Sequence, residues 1–213
     1  MSPAELRVWY TDLANRHFAE PILGRYKVQL VDRATWKASF NAVTDNVFPG
    51  DANMDIRRAW TEAQRARFDE LNAIFGEPLD HNAILVDPEH GDAPVAWAYG
   101  VQDQRATFYM AITGVHPNWR GRGIYPAYLD RLLGFLREVG FREVVSRHQA
   151  DNNGVLIPKL RAGFKIAAFE ITPNYGLLVH LRYNFSEDMR AVYAWRVDGR
   201  VGADHLRARG ILK

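Results

Sequence analysis

The chain has 213 residues, 47% hydrophobic and 24% charged, the ordinary composition of one globular domain with a sizeable core. A formal charge of +2 gives no argument for nucleic acid as a partner, which calls for Lys and Arg clustered along one face, and the lack of cysteine excludes disulfides, thiolate metal sites and a cysteine nucleophile. Without a secretory leader pattern or an apolar run of about 18 residues, a cytoplasmic protein with no membrane partner is expected.

In chain order, Ser2-Pro3-Ala4-Glu5 reads as a helix start, with a Ser cap, Pro in the first turn and Glu three residues after the cap. Leu6, Trp9, Leu13 and His17 follow at helical spacing, and Pro21 and Gly24 close this N-terminal extension, placed at residues 1–25 and read as a packing or dimer element. Tyr26 to Asp32 alternates as a first strand, and RATWKASFNAVTDNVF after it reads as a helix. A breaker-rich loop from Pro49 to Asp55 leads into a long helix with Ile56, Trp60, Phe68, Leu71 and Phe75 on one face, stopped by Gly76. Strands from His81 and from Pro94 are joined by the turn cluster Asp87 to Asp92, and a third begins at Ala106.

The stretch from Ala106 to Tyr128, ATFYMAITGVHPNWRGRGIYPAY, is the most informative. It reads as a strand, a basic and glycine-rich turn, and the opening of an amphipathic helix, an order that makes an anion site. A helix N-terminus leaves about four backbone N–H groups without intrahelical partners and carries partial positive charge. Gly121 and Gly123 let a ligand approach those amides, and Arg120 and Arg122 bring positive charge. A Walker-type loop would need Lys-Ser or Lys-Thr where Ile124-Tyr125 stand, and a dinucleotide fingerprint would need a small residue at Pro126. Gly114, late in the strand, marks a bulge or a close backbone approach.

The following helix carries Ile124, Tyr128, Leu132, Leu136 and Val139 on one face, ends at Gly140, and gives way to a strand from Phe141 to Gln149. In NNGVLIPKLRAGFK, Asn152-Asn153 is a good helix cap and Gly163-Phe164 a good helix stop. KIAAFEIT and LLVHLRYN form a hairpin through Thr172 to Gly176, and residues 185–213 read as a helix from Ser186 and a basic tail.

Arg120-Gly121-Arg122-Gly123-Ile124-Tyr125, entered through Val115-His116-Pro117, resembles the acyl-CoA loop of the GNAT-type N-acetyltransferases, usually (Gln/Arg)-x-x-Gly-x-(Gly/Ala), with Tyr125 in place of the small last residue. The block from Asn152 to Phe164 resembles the later motif of that family, with the family's spacing between the Asn and the closing Gly-Phe. The resemblance covers about residues 26–184. It implies an α/β (α+β) fold, with a central mixed, mostly antiparallel sheet of six or seven strands flanked by helices and carrying helical extensions at both ends. It also implies acetyl-CoA as co-substrate, an amine acceptor, and CoA contacts from Thr113, Gly114 and Val115 on a splayed strand, from Arg120 to Tyr125, and from Asn152. A homodimer is a further possibility.

Acetyl transfer to an amine needs a deprotonated amine, a stabilised oxyanion and a proton for the leaving thiolate. Where many family members place a Tyr as that acid, this chain has Lys159, read either as the acid or as an ordinary surface lysine. Where relatives often carry an acidic residue, five before Asn152, it has Arg147, which suits either an anionic acceptor or a salt bridge to Glu143. His116, His148, Glu170 and His180 have the chemistry of a base, and none is singled out. The two departures leave open an alternative: an acyl-CoA-binding regulatory module of the same fold without turnover.

Overall fold

A computed structural model describes residues 1–48, 61–73, 77–103, 106–199 and 201–212. Seven strands form one sheet: β1 (Lys27–Leu30), β2 (Asp80–Asp87), β3 (Ala93–Asp103), β4 (Thr107–Val115), β5 (Glu143–Gln149), β6 (Lys165–Thr172) and β7 (Gly176–Asn184). Their spatial order is β1-β2-β3-β4-β5-β7-β6, every neighbouring pair antiparallel except β4 with β5. This is the mixed, mostly antiparallel sheet expected. Its parallel pair requires a crossover, which helix α5 (Ile124–Val139) provides.

Side-chain alternation sends successive residues of the central strands into two cores. On one face Ala83 and Leu85 of β2, Phe108 of β4 and Val144 of β5 pack with Tyr128, Leu132, Phe135 and Leu136 of α5 and with α1 (Pro3–His17). On the other, Ile84, Val86 and Trp97 meet Trp36, Phe40 and Val47 from α2 (Arg33–Asn41) and α3 (Thr44–Val47). Because both faces of β2 are covered, it is buried almost throughout, with Ala83 to Val86 continuously apolar between polar ends.

The capping box of α1 forms as expected, the Ser2 N–H donating to the Glu5 carboxylate at 2.7 Å and the Glu5 N–H to Ser2 Oγ at 3.3 Å. The helix stops at His17, short of Pro21, and packs on α5 with Tyr10 and Phe135 rings 5.1 Å apart. The single helix expected over residues 33–48 is divided in two. The Thr44 hydroxyl donates to the Phe40 carbonyl at 2.9 Å, so a side chain takes an acceptor that a continuing helix would use. Helix α4 (Glu62–Ala73) opens with reciprocal bonds between Thr61 and Gln64. The expected loop from Pro49 to Asp55, together with Ile56, Trp60, Phe75 and Gly76, lies outside the described residues, as do the side chains of Phe68 and Leu71.

Helix α6 (Asn153–Arg161) follows β5, and α7 (Glu187–Asp198) follows β7 with Ser186 as its cap. The segment read as a basic tail contains a further helix, α8 (Ala203–Ala208), whose six residues carry too little periodicity to declare themselves. It is held by buried Leu206 and by His205 and Arg209 on the Asp188 carboxylate.

Strand β4 carries the feature that positions the site. Tyr99 pairs with Ile112 and Gly100 with Met110, so Ala111 is an extra residue in the ladder and β4 bulges there. Of the two readings of Gly114, the bulge thus falls three residues earlier in the strand. Gly114 instead marks a close approach, since a Cβ there would come within 2.4 Å of Val47 Cγ1.

Candidate active site

Strands β4 and β5 pair at only three positions, Thr107 with Glu143, Phe108 with Val144 and Tyr109 with Val145, and then part. Met110 to Val115 form one wall of the gap and Ser146 to Gln149 the other. The parity of the β3–β4 ladder decides which backbone groups face the gap. His116 N–H donates to Val95 O at 2.9 Å, which makes Gly114–Trp97 a hydrogen-bonded pair and turns the N–H and C=O groups of Thr113 and Val115 away from β3. Among the described residues no strand lies beside them. Gly114, expected to offer its own backbone with these two, directs those groups at β3.

At the open end of the gap stands the glycine turn. Pro117–Trp119 forms a single 3-10 turn capped by His116, whose Nδ1 accepts from the Asn118 N–H. Gly121 and Gly123 adopt left-handed conformations at φ 73° and 77°, which favour glycine, and no side chain caps the first turn of α5. Tyr125, where the family has a small residue, does not crowd this opening. Its ring is buried behind the turn, beside Thr113 and Tyr128, and burial pushes its hydroxyl well above the usual tyrosine range.

The two arginines of the turn differ in role. Arg120 turns inward, its Nε donating to Val115 O at 3.0 Å and an Nη to Val47 O at 2.7 Å, so it ties the end of β4 to α3. Arg122 is exposed, with one Nη on Asn118 O at 3.0 Å. Behind the turn, fully buried Asp87 accepts two bonds from Arg25 at 2.9 and 2.6 Å, one from Trp119 Nε1 at 3.2 Å and one from the Glu89 N–H at 3.2 Å, and its Oδ2 lies 2.8 Å from His90 Nδ1. These partners, Arg25 first, hold the carboxyl well below the usual range. In the sequence Asp87 is only the first residue of a turn cluster; its role shows once Trp119 is seen packed beside it.

Asn152 occupies the cap position of α6, with a side chain that makes no capping bond. About two turns later, Lys159 is not on the surface. Its side chain is 1% exposed, its Nζ lies 3.6 Å from Met110 Sδ and sits over the Phe164 ring at 5.0 Å. Burial without an anionic partner brings its pKa down to about 7. His148 lies on the same side of the sheet, Nε2 3.0 Å from Ser146 Oγ, with its pKa lowered to about 3 by burial and by the charge of Lys159, so it is a neutral imidazole.

The other expected polar residues lie across the sheet. His180 Nε2 is 2.6 Å from Glu170 Oε2, and Arg147 Nε is 3.7 Å from the same oxygen. The expected Arg147–Glu143 pair does not form, because Glu143 binds Arg182 at 2.6 Å and Thr107 at 3.0 Å. Sequence reasoning also missed Met110, which reads as plain core until the docking of α6 sets Lys159 against it.

A model of the acetyltransferase (GNAT) family matches residues 51–164. No curated protein matches the chain in sequence. Among solved structures, yncA from Salmonella typhimurium with its cofactor acetyl-CoA is 17% identical, covering 76% of this chain and 95% of that one at a TM-score of 0.54. The ribosomal-protein-S18-alanine N-acetyltransferase from Escherichia coli is 14% identical, with coverage of 76% and 94% and a TM-score of 0.54. An N-acetyltransferase from Staphylococcus aureus Mu50 gives 16%, 76% and 99%, and 0.53. These likenesses concern the fold; the family model spans more than half of the 213 residues and takes in β4, the glycine turn and α6, and the chain belongs to the acetyltransferase (GNAT) family.

Proposed function

We propose that the protein transfers an acetyl group from acetyl-CoA to a primary amine of a small molecule or peptide by direct attack. The observation that carries this reading is the buried Lys159 amine at the β4–β5 gap, on the line from the glycine turn into the sheet. Acetyl-CoA supplies the acyl group already activated as a thioester, so no protein nucleophile is required. The residues present fit it at three places. The uncapped first turn of α5 with Gly121, Gly123 and Arg122 suits a pyrophosphate, the outward backbone groups of Thr113 and the outward N–H of Val115 suit an extended amide-bearing arm, and the Asn152 side chain, which makes no capping bond, stands at the start of α6. Arg120 contributes by shaping the turn.

In the reaction the acceptor nitrogen bonds to the carbonyl carbon and the carbon–sulfur bond breaks. An outward backbone N–H of β4 stabilises the oxyanion that develops between these events. Lys159 gives its proton to the departing sulfur. With a pKa near 7 rather than 10.5, it is a far better acid than an ordinary lysine and remains substantially protonated at neutral pH. The amine gives up its own proton to solvent or to a base at the gap.

The test is release of free thiol from acetyl-CoA by the purified protein in the presence of a panel of primary amines. Amine-dependent release above the background of the Lys159→Met variant is the expected result. Tight binding of acetyl-CoA with no thiol released across the panel would overturn transfer in favour of a CoA-binding module that keeps the fold.

A further inference from the structure

Across the sheet from Lys159 lies an open groove of about 560 Å³, floored by β3, β4, β5 and the β6–β7 hairpin. It begins where β4 and β5 part, at Tyr109 and Arg147, and it is neither apolar nor covered by the α2–α3 layer. Its size is that of a small-molecule site.

Most of the groove's charges are already assigned to one another. Arg182 is engaged by Glu143 at 2.6 Å and His180 by Glu170 at 2.6 Å. Arg147 projects over the Tyr109 ring, its guanidinium carbon 5.7 Å from the ring centre, with Nε 3.7 Å from Glu170 as its one ionic contact. Among the described residues its terminal nitrogens make no hydrogen bond, and the side chain is 51% exposed. A planar guanidinium braced on an aromatic ring, with its fork open beside the gap, is arranged for a bidentate anion.

The surrounding charge decides which anion. Two arginines, Arg147 and Arg182, face three carboxylates, Asp103, Glu143 and Glu170. That balance repels a dianionic phosphate but suits a molecule that carries one carboxylate and one ammonium. We infer that the acceptor is a small aminocarboxylate, its carboxylate held by Arg147 and its amine turned to the gap beside the Glu170–His180 pair. This rests on the transfer reading above for the fate of the amine, and on the groove alone for the binding.

The experiment is calorimetric titration of the CoA-loaded protein with amino acids of two to six carbons, each paired with its primary carboxamide and with the matching aminoalkyl phosphate. In the wild type the carboxylates should bind about tenfold more tightly than the carboxamides, as expected for a charge-assisted bidentate pair, and more tightly than the phosphates. Arg147→Gln should abolish the difference, Arg147→Lys should restore part of it, and the affinity for CoA should stay unchanged in both. Equal binding of carboxylates and carboxamides, a preference that survives Arg147→Gln, tighter phosphate binding, or no binding at millimolar concentration would each overturn the inference. Carboxylate-selective binding with no thiol released would instead sink the transfer reading and leave the groove assignment standing.

Discussion

Lys159 Nζ and Met110 Sδ lie 3.6 Å apart at the foot of the strand gap, and among the described residues the amine has no oxygen partner. An ammonium in that place is held against its own desolvation, which is why its pKa falls to about 7. If its proton goes to the leaving sulfur, Lys159→Met should lower turnover by about 100-fold or more with little change in acetyl-CoA affinity, because the proton matters only in the transition state. Wild-type turnover should decline as pH rises above about 7, and single-turnover rates across pH would show it.

The same residue gives a stability test of opposite sign. Between about pH 7 and 10.5 the unfolded chain keeps a proton on this lysine that the folded protein has released, so folded stability rises with pH across that window. Lys159→Met should remove that slope and gain on the order of 2 to 4 kcal/mol at pH 7, measured by denaturant unfolding at several pH values.

Gly123 sits at φ 77° beneath the place proposed for the pyrophosphate, and a Cβ there would meet only Leu23 Cδ1, at 3.8 Å. Gly123→Asp should therefore fold at a strain cost of about 1 to 3 kcal/mol, while a carboxylate facing the helix opening weakens acetyl-CoA binding tenfold or more. Unchanged affinity in a folded variant would retire the loop assignment.

Asp87 links the β2–β3 turn to Trp119 at the start of the glycine turn. Asp87→Asn should lower both the melting temperature and the affinity for acetyl-CoA at neutral pH, since Arg25 and Trp119 lose a charged acceptor. The folded pKa is depressed, so the stabilisation is present above the unfolded carboxyl value and lost as pH falls through the folded one. The melting-temperature gap between variant and wild type should accordingly begin to narrow below about pH 4 and go on narrowing as pH falls toward the folded value.

Gly114→Ala would place a methyl 2.4 Å from Val47 Cγ1 and against Phe48. The expected result is a loss of about 1 to 3 kcal/mol, with α3 pushed off β4, readable by thermal unfolding.

What the sequence made legible was whatever depends on local period and local stops. The Ser2 cap, the Gly140 helix end, the Thr172–Gly176 hairpin and the strand-turn-helix order around Gly121 all follow from residues within a few positions of one another. What it hid depends on meetings over long separations. Lys159 reads as surface because its neighbours Ile157 and Leu160 give no clear face, and only the docking of α6 on β4 buries it. Arg120 reads as a phosphate ligand until the Val47 carbonyl, far away in the chain, claims it. The bulge at Ala111 has no glycine or proline to announce it, so the glycine at 114 drew the assignment instead.

That bulge also bears on which changes of length the chain can survive. Ahead of it Phe108 and Met110 face the α5 layer; beyond it Thr113 and Val115 do, while Ile112 joins the opposite core. Ala111 thus acts as a phase shift in the strand. Deleting it would exchange the two sides of everything downstream up to the glycine turn, sending Ile112 toward Tyr125 and Thr113 toward Trp97, and it would rotate the outward backbone groups by the same step. Substitutions at this position are a matter of packing, but a single-residue deletion is a matter of topology, so homologous chains that share the site should vary in residue at 111 and hold constant the count between Tyr109 and Gly121.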